Sequence, residues 1–239
     1  MGHAPQDERQ AAGVEWAFRA AAEGAQRARF ERLAERLHAV GALPVITDGA
    51  RRAAEDEARH AGVCARLAEG LGASAAESPP VHFVTLPTLP AAARVLYEVV
   101  SVCCVTESLN AAVLTTTLEV ASDRAVRAAV RALLRDEVGH ARLGWAHLTR
   151  EAQRVDVAFL GPLLPAMLAA SVREEVFARV AVPPEEGAAR DDYGRLTLAL
   201  RGALVREALT AVVLPGLEGC GVPVEPARRW LDARAPPGA

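Results

Sequence analysis

The string Asp-Glu-x-x-His occurs twice in this chain, as Asp56-Glu57-Ala58-Arg59-His60 and as Asp136-Glu137-Val138-Gly139-His140. Residues three apart on an α-helix share a face, close enough for both side chains to reach one ligand. Each copy therefore offers a carboxylate and an imidazole to a single point, provided its segment is helical. Glu-x-x-His alone arises by chance roughly 0.5 times in a chain of this composition, whereas the longer string arises only about 0.02 times. A third Glu-x-x-His, Glu35-Arg36-Leu37-His38, lacks the leading Asp. It also lies about 18 Å along its helix from the other candidate ligand there, Glu23, and is set aside.

The helices that this pattern requires are legible. The chain has 239 residues, 51% hydrophobic but only 4% aromatic, and Ala and Leu dominate the apolar set, which favours helix. Trp16, Ala20, Glu23, Arg27, Phe30, Ala34 and Leu37 recur at steps of three and four, predicting helix one over 7–40 with Gly41 as its stop. Pro44 opens helix two, which runs to about Leu71. The Ser- and Pro-rich segment 74–90 breaks helix and is read as a long crossover connection. Helix three spans about 91–120, and Ser122 is read as the N-cap of a fourth helix reaching Glu151. Further helices are expected over 157–180, 194–213 (ended by Pro215 and Gly216) and 226–233, with a polar loop at 182–192. The expectation is one domain over 1–239, with a core bundle at 7–153. The C-terminal helices, 155–239, would lie outside it or form an oligomer contact, as in a homodimer.

Two Glu-x-x-His strings supply two Glu and two His, and a pair of dications needs further anionic oxygen ligands. On helix three Glu107 shares the stripe of Val100, Cys103, Asn110, Ala111 and Leu114, whereas Glu98 and Glu119 lie about 13.5 and 18 Å away along the axis. On helix one Glu23 lies on the Trp16, Phe30, Leu37 stripe, and Glu15 and Glu31 fall off it. The metal-ligand set is thus Glu23, Glu57, His60, Glu107, Glu137 and His140. Asp56 and Asp136 are assigned to the outer ring nitrogens of the imidazoles, since a metal-bound His ordinarily gives its second N–H to a carboxylate or carbonyl. Cys64, Cys103, Thr106, Asn110 and Gly144 are small or polar neighbours that would leave room for a substrate.

With Thr106-Glu107-Ser108-Leu109-Asn110 and both Asp-Glu-x-x-His strings in place, residues 15–150 resemble the ferritin-like di-iron carboxylate superfamily, in which two helices give a Glu each and two give Glu-x-x-His. The resemblance implies an all-α, ferritin-like four-helix bundle and two iron ions, with Mn/Fe or Mn/Mn pairs using the same ligands. It pairs Asp56 with His140 and Asp136 with His60. It also implies a dioxygen-activating oxidase or oxygenase acting on a small organic substrate, with electrons from the substrate or a separate donor protein. A ferroxidase and a non-catalytic bundle with a structural metal are the other outcomes. The 85 or so residues beyond the bundle and the long connection argue against a storage cage. The absence of C-x-x-C pairs argues against an added four-cysteine iron module, and the position of Tyr97, about 15 Å from Glu107, against a radical-storing site. A net charge of −3 with Arg spread evenly gives no nucleic-acid surface. No run of about 18 uninterrupted apolar residues or export signal is found. Cys64, Cys103, Cys104 and Cys220 are expected to be reduced, and the protein cytoplasmic.

Overall fold

The computed structural model describes residues 4–76, 86–172 and 192–234, and every regular element among them is helical. Helix α1 runs Ala4–Ala39 and α2 Pro44–Gly70. The third helical stretch is α3 (Ala91–Val99), a π-helical segment (Val100–Glu107) and α4 (Ser108–Val120) without a break. Then follow α5 (Arg124–Ala152), a 3-10 turn (Ala158–Leu163), α6 (Leu164–Ser171), α7 (Leu198–Ala208), a second π segment (Leu209–Val213), α8 (Leu214–Gly219) and α9 (Glu225–Asp232).

Contacts divide the chain into two compact units. The first comprises Met1–Val95, Thr116–Asp136 and Gly187–Arg195. In it α1 and α2 pack along their lengths, with Trp16, Phe30, Leu33 and Leu37 of α1 and Ile46, Ala50, Ala53 and Cys64 of α2 buried. Gly41 and Gly72 end these helices at φ 71° and 89°, the left-handed conformation that glycine adopts without Cβ strain. The Ala42 and Ala73 N–H groups then reach back to Leu37 O (3.0 Å) and Ala68 O (2.9 Å), which satisfies carbonyls the helix ends would orphan. Helix α5 is capped by Asp123, whose Oδ1 accepts from Ala125 N at 2.8 Å and Val126 N at 2.9 Å. Ser122, the residue expected to cap it, bonds the Asp192 carboxylate instead. A carboxylate is the stronger acceptor at a helix N-terminus because it also meets the positive end of the dipole.

The second unit comprises Leu96–Thr115, Glu137–Glu186 and Leu196–Ala239. Its core holds Val100, Cys103, Cys104, Leu148, Leu160, Leu164, Met167, Leu209 and Leu217. Two expectations are corrected here. The segment from 157 begins as a 3-10 turn containing Pro162, and regular α-helix starts only at Leu164; the part of that helix expected at 173–180, the loop at 182–191 and the crossover over 77–85 fall outside the described residues. Pro215 does not end its helix: it sits in the first turn of α8, just after the π segment. The wider turn displaces the i−4 carbonyl that a proline ring would strike.

The stretch Ala91–Val120 is long and apolar enough to cross a membrane by length and composition alone. Glu107 near its middle is 0% exposed within the protein, and a charged side chain at the centre of a bilayer costs about 2.5–3.5 kcal/mol or more. A buried core helix carries the same composition.

Candidate metal centre

In the first unit Glu23 from α1 meets Glu57 and His60 from α2. All three are buried, and one ligand atom from each lies within 4.8 Å of the others. His60 Nδ1 is 3.5 Å from Glu57 Oε2 and 4.0 Å from Glu23 Oε2. The three-residue spacing on α2 stacks Glu57 over His60, and the Trp16 to Leu37 stripe turns Glu23 inward. Arg19, one turn before Glu23, donates to its Oε1 at 3.1 Å.

The opposite nitrogen of His60 faces the leading aspartate of the other string. Nε2 lies 3.2 Å from Asp136 Oδ2. Asp136 also accepts from Arg59 Nη2 at 2.9 Å and from Arg135 Nε at 3.0 Å. Burial pulls the Asp136 carboxyl upward as the largest single influence, but the hydrogen bonds and charges of Arg135 and His60 together bring it below the ordinary range. It is an anion facing an imidazole, the arrangement that fixes which ring nitrogen carries the proton. Asp56 accepts from Arg59 Nη1 at 2.6 Å, so the exposed Arg59 joins both leading aspartates.

In the second unit Glu107 closes the first π segment, and Glu137 and His140 come from α5. Glu107 and Glu137 are fully buried and His140 is 5% exposed, with one ligand atom of each within 4.8 Å of the others. His140 Nδ1 is 3.2 Å from Glu137 Oε2, and Asn110 Nδ2 donates to Glu107 Oε2 at 3.2 Å. Each unit thus holds two carboxylates and an imidazole converging on one point. Hard oxygen donors with one borderline nitrogen suit a divalent first-row ion. Glu57, Glu107 and Glu137, the three of these four carboxylates that are 0% exposed, would each cost several kcal/mol to ionise without positive charge nearby, a cost that a dication offsets. The donor set fits a metal.

The remaining expected residues divide. Gly144 makes a close helix contact: a Cβ there would stand 2.4 Å from Cys103 Cβ and 3.1 Å from Cys104 N. Thr106 is tied to Ser101 and Ser171, and Cys64 is buried in α2. His38 and Glu35 are exposed, on an open groove of about 690 Å³ between α1 and α2. Sequence reasoning missed Arg19 as the partner of Glu23, although its spacing four residues before a buried Glu is a readable signal. It also missed the π segment, whose register no residue type announces.

No protein-family model and no curated protein sequence matches this chain. Among solved structures it is similar to one described as protein 19 with aldehyde deformylating oxidase activity, from Synechococcus. The TM-score is 0.57 at 20% identity, over 95% of this chain and 97% of that one. The likeness is one of fold, and the fold is all-α and ferritin-like.

Proposed function

We propose that the two triads form one dinuclear centre that, loaded with iron, carries out dioxygen-dependent oxidation of a small organic molecule. The contact between His60 and Asp136 carries this reading. Asp136 is peptide-bonded to Glu137 within α5, so a residue touching the first triad is the immediate chain neighbour of a ligand in the second. Four carboxylates balance the charge of two divalent ions, and two imidazoles complete a set of six side chains, as in the constellation of paired Glu and Glu-x-x-His helices.

When bound, two iron ions supply the redox equivalents for reducing dioxygen. The chain's own residues hold and tune them. Asp136 keeps the His60 proton on Nε2 and so presents Nδ1 as a lone pair. Burial of Glu57, Glu107 and Glu137 keeps bulk water from competing for their oxygens. The neighbour's described activity makes aldehydes the first substrate class to try, with electrons from a separate donor protein or from the substrate. Anaerobic loading with ferrous iron should give two irons per chain, and admission of air with a reductant and an aldehyde should consume both. Fewer than two irons per chain overturns the dinuclear proposal; two irons without substrate turnover, in a cage-sized particle on gel filtration, would replace the oxidase with iron storage.

A further inference from the structure

Glu107 differs from the other carboxylates in how its backbone is held. It is the last residue of an eight-residue π segment, and the chain returns to α-helix at Ser108. A π turn widens the helix by a residue and re-aims the side chains that follow it. The direction of Glu107 therefore depends on the π register being kept.

The side chains around it are arranged to keep it. Thr106 Oγ1 donates to Ser101 O at 3.0 Å, five residues back, the carbonyl that a π turn addresses. With its own proton on Ser101 O, the same hydroxyl can only accept from Ser171 Oγ, 2.9 Å away at the end of α6, whose single proton is shared between this contact and Met167 O at 2.9 Å. Ser108, on the other side, accepts from Trp145 Nε1 of α5 at 3.2 Å. That leaves the carboxylate itself, whose terminal torsion is broad and has no strong intrinsic preference. Asn110, three residues on and on the same face, donates its amide N–H to Glu107 Oε2 at 3.2 Å. A neutral amide orients a carboxylate without cancelling its charge, whereas an Arg would compete with a cation for it.

We propose that Asn110 and Thr106 are positioning residues for Glu107: Thr106 holds the π register from behind, and Asn110 fixes the rotation of the carboxylate so that it meets a metal ion in one orientation. The inference rests on the dinuclear reading above. It assigns Asn110 a role in metal affinity that a residue merely lining a substrate space would not have.

Titration of the full-length apo protein with cobalt(II) under anaerobic conditions, read by the visible absorption of bound cobalt, tests it. The wild type should take up two cobalt ions. Asn110→Leu, similar in shape but without the donor, should weaken one of the two by about 10–100-fold and alter its spectrum. Asn110→Gln, which keeps the amide, should recover most of the affinity. Thr106→Val should act in the same direction and less strongly, and Thr106→Ser should behave as wild type, so the Thr106 pair carries the test if Asn110→Leu does not fold. Thermal melts of the apo forms identify the folded variants. Folded Asn110→Leu and Thr106→Val proteins that bind both cobalt ions with wild-type affinity and spectrum overturn the inference and leave the dinuclear reading standing. A wild type that binds no cobalt overturns that reading and the inference with it.

Discussion

In the first triad the carboxylate contributed by a single helix, Glu23, is held by a cation, Arg19, and the far side of His60 meets Asp136, itself gripped by Arg59 and Arg135. In the second, Glu107 is oriented by the neutral amide of Asn110 on a π turn, while Cys103 and Cys104 of that turn pack directly on Gly144. The ligand chemistry is the same and the support is not. The first triad leans on partly solvated ionic contacts, which are individually weak and respond to salt. The second leans on helix register and close packing, which respond to volume.

The largest effect should come from removing an imidazole. His60→Ala should lose the ion of the first triad and His140→Ala that of the second, and the double variant should bind none; His38→Ala, altering an exposed residue, should match wild type. Metal analysis after anaerobic ferrous loading separates these cases. Equal loss of both ions from either single variant would mean that the triads do not act as separable halves. Metal should also stabilise the fold by mass action, about 2.7 kcal/mol at a concentration a hundred times Kd, visible as a higher melting temperature on loading.

Next in size are the aspartates. Asp136→Asn removes the anion that fixes the His60 tautomer and should weaken the first ion about 10–100-fold while sparing the second. Asp56→Asn is the counterpart test for the proposed pairing of Asp56 with His140. Cobalt titrations at low and high salt sharpen the comparison, since a triad supported by Arg19, Arg59 and Arg135 should lose more affinity with added salt than one supported by Asn110.

What the sequence disclosed follows from how each feature is encoded. The candidate ligands are chosen by residue type and helical spacing, so Glu57, His60, Glu107, Glu137 and His140 can be nominated without coordinates, and Glu23 from its stripe; the structure buries all six. The contact between Asp136 and His60 is readable because a ligating imidazole needs an outer partner. The π segment at Val100–Glu107 is not, because a π register is decided by tertiary contacts such as that of Thr106 with Ser171. Helix α5 is capped by Asp123 where Ser122 is expected, because both residue types suit an N-cap and type alone does not choose between adjacent positions. The passage of the last long helix through Pro215 was hidden for the same reason as the first π turn: a proline reads as a stop unless the wider turn before it is known.

Glycines close to the two histidines test packing against charge. A Cβ at Gly144 would meet Cys103 Cβ and the Cys104 backbone, atoms that cannot swing aside, so Gly144→Ala should destabilise by about 1–3 kcal/mol. At Gly62 in α2 the nearest atom to an added Cβ is Arg66 Nη1 at 3.4 Å, the end of a flexible side chain. Gly62→Ala should therefore stabilise by about 0.5–1 kcal/mol, the helix preference of Ala over Gly. Urea unfolding of the apo forms measures both, and similar signs for the two would erase the contrast in packing.

The smallest expected effect concerns His147, seven residues beyond His140 on α5, where the matching position after His60 is Leu67. His147 is 5% exposed, and its Nδ1 has no hydrogen-bond partner among the described residues. Burial pushes its pKa down; Glu151 opposes that shift and Arg150 adds to it. A folded-state pKa below the unfolded value of about 6.5 means that, between the two, the unfolded chain binds the proton and the folded chain does not. Stability from this residue is therefore complete above about pH 6.5, falls as pH drops through the window, and levels off below the lowered folded pKa. The loss cannot exceed about 1.4 kcal/mol per pH unit. Every other titratable group is common to both proteins, so the readout is a difference: apo His147→Gln should lose less stability than apo wild type between pH 7.5 and 5.5. An equal loss in both would place the proton elsewhere and leave His147 as a packing residue like Leu67.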